Sequence, residues 1–120
     1  MSLPTQQRLN DHLIRWDREI RQFDEAIHAY GARKADHEHR RATVMVTAKV
    51  DNPKLSQAAA ERLADADEIA HDLHRDFRDA ESTVEAKKAR LRWCAAVADA
   101  LRSEVATERA ERQLYADHGG

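Results

Sequence analysis

Apolar residues recur at alternating spacings of four and three along two long stretches of this chain. Leu9, Leu13, Trp16, Ile20, Phe23, Ile27 and Tyr30 form the first series. Ala66, Ala70, Leu73, Phe77, Ala80, Val84, then Leu91, Cys94, Ala98, Leu101 and Val105 form the second. Such spacing keeps one side of a helix turned toward a partner helix, as in a coiled coil. Asn52-Pro53 divides the two series and is the one proline-marked break between Pro4 and the C-terminal Gly119-Gly120. The pattern predicts an all-α fold, a long antiparallel helical hairpin or coiled coil that forms a single domain over residues 1–120. Its first helix is expected over 5–49, its turn over 50–53 and a longer second helix over 54–116. A second helix broken near Ser82 is the alternative, since Ser82-x-x-Glu85 has the form of a capping box.

A short turn fixes the pairing of antiparallel helices. The expected register sets Leu9 against Cys94, Leu13 against Leu91, Ile20 against Val84, Ile27 against Phe77 and Tyr30 against Leu73. It also brings Arg33, Lys34, Arg40 and Arg41 near Asp65, Asp67, Glu68 and Asp72. The β-branched run Thr43-Val44-Met45-Val46-Thr47 is read as helix, because no second strand pattern exists to pair with it. In this register the first helix ends opposite residue 99, and residues 100–116 overhang by about 25 Å. Leu101, Val105, Leu114 and Tyr115 would then lie uncovered, beside a second stripe of Trp93, Ala96, Val97 and Ala100 at one-face helical spacing. These eight residues are the expected interface, and a homo-oligomer or a protein partner is the expected occupant.

Composition sharpens this only in part. The chain is 35% charged, which suits the outer faces of a coil, and its net charge of -2 creates no global field toward nucleic acid or membrane. One cysteine excludes an internal disulfide and a cysteine-based zinc cluster. No apolar run approaches a membrane span and no charged-then-apolar leader opens the sequence, so a cytoplasmic protein is expected.

Candidate chemistry is sparse. Glu25-x-x-His28 and Glu68-x-x-His71 share the spacing of di-iron carboxylate bundles, but both fall on outer heptad positions, whereas such ligands project inward. His37 and His39 with Asp67 and His71 opposite could hold an adventitious metal ion, the plainer reading being a core-edge histidine. Cys94 reads as a small buried filler. No catalytic residues, metal site or cofactor are therefore assigned, and the chain is read as a non-enzyme. Lys87, Lys88, Arg90 and Arg92, with Arg15, Arg18 and Arg21 opposite and Trp93 adjoining, could hold single-stranded nucleic acid by phosphate contact and stacking. Asp11, Asp17, Glu19 and Glu85 interleave with them, which favours a salt-bridged coil flank.

Three stretches carry a family likeness. They are Glu38-His39-Arg40-Arg41 leading into Val44-Met45-Val46-Thr47-Ala48-Lys49, then Ala60-Glu61-Arg62-Leu63-Ala64-Asp65, then LRWCAAVADALRSEVATERAE from Leu91 to Glu111. Together, over about residues 30–112, they resemble small α-helical accessory proteins of bacteriophages, particularly those of actinobacteria. The resemblance implies early-gene roles near replication or recombination and a location in the host cytoplasm. It carries over no functional residues. Secreted helical hairpins with a Trp-x-Gly turn fit less well, because Trp16 and Trp93 sit mid-helix and the turn is Asp51-Asn52-Pro53. The expected function is thus self-association and protein binding, with single-strand binding in phage replication or recombination as the alternative.

Overall fold

A computed structural model describes residues 4–119, and every element among them is helical. Helix α1 spans Pro4–Asp51, α2 Gln57–Ala66 and α3 Glu68–Gly119. The fold is an all-α antiparallel helical hairpin. No described helix is long and apolar enough to cross a membrane. The β-branched run is helical, and the Thr43 hydroxyl donates to the His39 carbonyl one turn back at 2.9 Å.

The chain leaves α1 later than the sequence pattern suggests. Asn52 does not cap the next helix: its N–H donates to the Ala48 carbonyl, and its own carbonyl accepts from the Leu55 N–H. The new helix starts after Ser56, whose hydroxyl accepts from the Ala59 N–H at 3.1 Å. The connection over residues 52–56 is therefore longer than the expected 50–53 turn.

The second arm is broken, but at Asp67 rather than near Ser82, through which α3 runs without interruption. Asp67 has extended backbone angles and its N–H closes α2 on the Ala64 carbonyl. Its carboxylate caps α3 by accepting from the Ala70 N–H at 2.9 Å. The same carboxylate accepts a two-pronged bond from Arg40, Nε at 2.8 Å and Nη2 at 2.9 Å. One residue thus ends a helix with its N–H, and its side chain starts the next and ties it to α1.

Packing divides into two compact units, one of residues up to 23 with those from 87 onward, the other of residues 24–86. In the second unit the fully enclosed residues of the second arm are Ala60, Ala64 and Ala70, while Leu63 stays half exposed. The break at Asp67 turns α2 so that its alanines, not Leu63 and Ala66, face inward. Arg40 pairs with Asp67 and Arg41 with Asp65, as the charge pattern predicts, whereas Arg33 pairs with Asp36 on its own helix. Tyr30 meets Phe77 with ring centroids 5.3 Å apart, where Ile27 was expected.

In the first unit Leu9, Leu101 and Val105 form the core, with Val97 packed against it. Cys94 and Ala98 are wholly enclosed, and Cys94 faces His12 instead of Leu9. The α3 seam of Leu91, Cys94, Ala98, Leu101 and Val105 keeps its expected phase, but α1 meets it shifted by a turn or more. Thr5 reaches Glu108 and Gln6 reaches Arg109.

Asp67 also sets an acid limit. Its carboxyl is held below the ordinary 3.8, first by the Arg40 hydrogen bond and then by the Ala70 N–H. A depressed carboxyl stabilises fully above 3.8, and the contribution is lost as pH falls through the lower folded value. Asp67→Asn should keep the cap, lose the charge-assisted pair and flatten the acid dependence below pH 4 by about the share this group supplies. Asp67→Ala should lose cap and pair together and melt several degrees below Asp67→Asn at neutral pH, read by circular dichroism.

Candidate functional site

The seam of α1 is built from two rows, each with a period of seven. Leu9, Trp16, Phe23 and Tyr30 supply large side chains, and Thr5, His12, Glu19 and Ala26 supply the alternating positions. All four of the latter are buried. The row expected there, Leu13, Ile20 and Ile27, lies one position further round and remains 36%, 48% and 43% exposed. The buried face thus takes two positions per heptad, one of them largely polar, and the aliphatic row adds a third beside them, a face wider than a two-helix seam uses.

The buried polar members are each engaged. The Thr5 hydroxyl donates to the Glu108 carboxylate. His12 Nε2–H donates to the Cys94 carbonyl at 2.7 Å, and the ring stands edge-on to Trp93 at 5.8 Å. Glu19 accepts from Arg90 Nε at 3.1 Å, and its second oxygen lies 3.6 Å from Lys87 Nζ. Lys87 also donates to Gln22 at 2.6 Å. The second Glu19 oxygen and the Glu108 Oε2 are buried without a hydrogen-bond donor among the described residues. The Lys87 contact at 3.6 Å is a Coulombic one, and it is what remains to offset burial of that Glu19 oxygen.

The expected interface divides. Leu101 and Val105 are each 5% exposed and covered by Leu9, which corrects the expectation that they overhang. The shift of α1 along α3 is the reason. Trp93, Ala96 and Ala100 are exposed and Val97 half-buried, so that stripe remains at the surface. Beyond Arg109 the helix is exposed through His118, with Leu114 58% and Tyr115 82% exposed.

The basic candidates are largely committed within the chain. Lys87 and Arg90 serve Glu19, Arg21 pairs with Asp17 at 2.8 Å, and Lys88 is also engaged. Arg90 additionally lies over the Trp93 ring at 5.3 Å, a cation–π contact. Among the described residues Arg15, Arg18 and Arg92 have no ion-pair partner. Arg15 lines a groove of about 310 Å³ with Arg8, Asp11, His12, Trp93 and Val97.

The histidines gather elsewhere. Glu25, His28, Glu68 and His71 are all exposed, and His28 Nδ1 turns back to the Asp24 carbonyl at 2.8 Å. His37, Arg41, Asp65, His71 and His74 line a cavity of about 250 Å³ in the second unit, while His39 is exposed. Among the described residues no group of three or more His, Cys, Asp or Glu side chains is disposed to hold a metal ion.

One feature escaped the reading of the sequence. The exposed Leu13, Ile20 and Ile27 row was hidden because apolar residues were assigned to the seam by hydrophobicity alone. The width of the α1 face, three positions per heptad rather than two, is the signal that could have shown it. Comparison of the chain with family models, with curated proteins and with solved structures finds no match.

Glu19 offers a test of the polar seam. Glu19→Ala leaves Lys87 and Arg90 without their acid and should cost about 1–2 kcal/mol, since both cations keep some contact with water. Glu19→Leu replaces the buried acid by apolar volume and should melt at or above the wild type. Thermal melts of both variants read the difference, and equal destabilisation by Ala and Leu would show that the carboxylate itself holds the helices.

Proposed function

We propose that this chain is a non-enzymatic helical interaction protein that self-associates through α1, and that it serves as a phage-encoded accessory protein. The observation that carries the reading is the exposed Leu13, Ile20 and Ile27 row beside a seam that buries Thr5, His12 and Glu19. A helix that spends inner positions on polar groups and leaves branched aliphatics outside has a second apolar face to cover. The phage setting is supported by the likeness of its helical stretches to phage accessory proteins.

A second copy is the occupant that this row suits. Leu13 and Ile27 lie seven residues either side of Ile20, and Gln6 and Lys34 end the row at the next positions. Its spacing is therefore the same read in either direction from Ile20, as pairing of two copies under a two-fold axis requires. The acids flanking the row carry their own in-helix partners, Asp17 with Arg21 and Asp24 with His28. The exposed area of these side chains, on the order of 500 Å² over two copies, gives about 12 kcal/mol before association costs of about 4–15 kcal/mol. Such a dimer forms in the micromolar range or more weakly, not as an obligate one.

Ile20→Asp with Leu13→Asp should turn a concentration-dependent dimer into a monomer with far-UV helicity retained, because neither residue is in the core. Leu101→Asp, which strikes the core, should instead lose helicity. Sedimentation at about 100 μM decides it, and a wild-type monomer there overturns self-association. The alternative, single-strand binding, is favoured by exposed Trp93 sharing a groove with Arg8 and Arg15. Salt-dependent retention on single-stranded DNA, abolished by Arg15→Ala and Trp93→Ala, would select it.

A further inference from the structure

The second unit holds its two long helices together with aromatic rings, and two of those rings titrate. His37 on α1 stacks parallel to Phe77 of α3, with centroids 6.1 Å apart and planes 4° from parallel. His74, three residues before Phe77, lies 5.0 Å from His37 and 5.9 Å from Phe77. Tyr30 completes the group against Phe77. As neutral rings these are polarizable, flat surfaces that pack like any aromatic cluster.

Charge changes the balance. From its own helix Arg41 repels a protonated His37 and Glu38 attracts it. From α3, His74 repels it, and His71 lines the same cavity. From α2, Asp65 is the one acid lining that cavity, and its carboxylate already accepts from Arg41. A second imidazolium 5.0 Å from the first therefore finds a guanidinium and other histidines, with the nearby acid spoken for.

We propose that the His37–His74 pair is an acid-sensitive latch, whose neutral rings hold α1 to α3 within this unit and whose protonation releases them while Arg40 and Asp67 keep the α2–α3 junction closed. The direction follows from linkage. His37 is held below the ordinary 6.5, chiefly by burial, then by His74 and Arg41. A lowered histidine costs nothing above 6.5, and its destabilisation grows as pH falls from there toward the lower folded value. The Arg40–Asp67 anchor responds only below 3.8, so the two devices answer to separate ranges of pH.

The test uses the full chain. Proton NMR follows the imidazole signals of His37 and His74 from pH 8 to pH 5, and amide exchange, corrected for the intrinsic pH dependence, is compared at pH 7.5 and 5.5. We expect His37 to titrate below 6.5. Protection should fall about threefold or more around residues 30–41 and 71–80, with little change at residues 60–70. His37→Gln, neutral at every pH, should abolish that fall. Titration of His37 at or above 6.5, or an unchanged fall in His37→Gln, overturns the latch. Should His37→Gln not fold, the wild-type titration alone decides.

Discussion

The structure depends on where three polar side chains of α1 find partners. Thr5, His12 and Glu19 recur every seven residues inside the seam, and each is buried. A buried polar group left without a partner costs far more than a misplaced methyl. Each of the three finds its partner at one place on α3: Glu108, the Cys94 carbonyl, and the Lys87 and Arg90 pair. Sliding α1 by one heptad would repeat the apolar pattern almost unchanged, yet would strand every one of these groups. Polar residues at inner positions are known to select register in this way at some cost in stability. The apolar rows make the two helices adhere, and the polar row says how far along.

That division explains what the amino-acid pattern disclosed. The helical class, the antiparallel return and the inner row of α3 from Leu73 to Val105 were legible, because that inner stripe of α3 keeps a regular phase. The pairing of Arg40 and Arg41 with Asp65 and Asp67 was legible as charge. The α1 seam was not, since its width gives two equally periodic choices and hydrophobicity prefers the one with Ile20 over the one with Glu19. The break at Asp67 has no glycine or proline to announce it. Its one signal is an aspartate three residues before the Ala70 amide that it caps, a pattern too common to stand alone. Of the interface residues inferred from the overhang, Trp93, Ala96, Ala100, Leu114 and Tyr115 remain at the surface, and Leu101 and Val105 do not, because Leu9 packs over them.

The cores of the two units are built differently. In the first, three aliphatic residues, Leu9, Leu101 and Val105, close one end of the packing, and ionic and hydrogen-bonded groups specify the rest. In the second, the enclosed residues of α2 and the start of α3 are alanines, which bury little area and permit close approach of backbones. Stability there rests more on Asp67 and on the half-buried rings of Tyr30, His37 and Phe77 than on aliphatic volume. Such a core is thin, and it makes the ionisation of its polar members consequential.

The same economy accounts for the exposed row. A hairpin has one neighbour for each helix, and α1 carries apolar side chains for two. Burying Leu13, Ile20 and Ile27 in the seam would satisfy the helix and leave Thr5, His12 and Glu19 outside, removing the groups that fix register. Burying the polar row instead leaves the aliphatics as surface. A sequence selected only for a stable hairpin has no reason to keep three branched aliphatics at that spacing beside polar inner positions, since charged residues there would improve solubility. The proposed self-association gives both a use, the inner face specifying the fold and the outer one meeting a second copy.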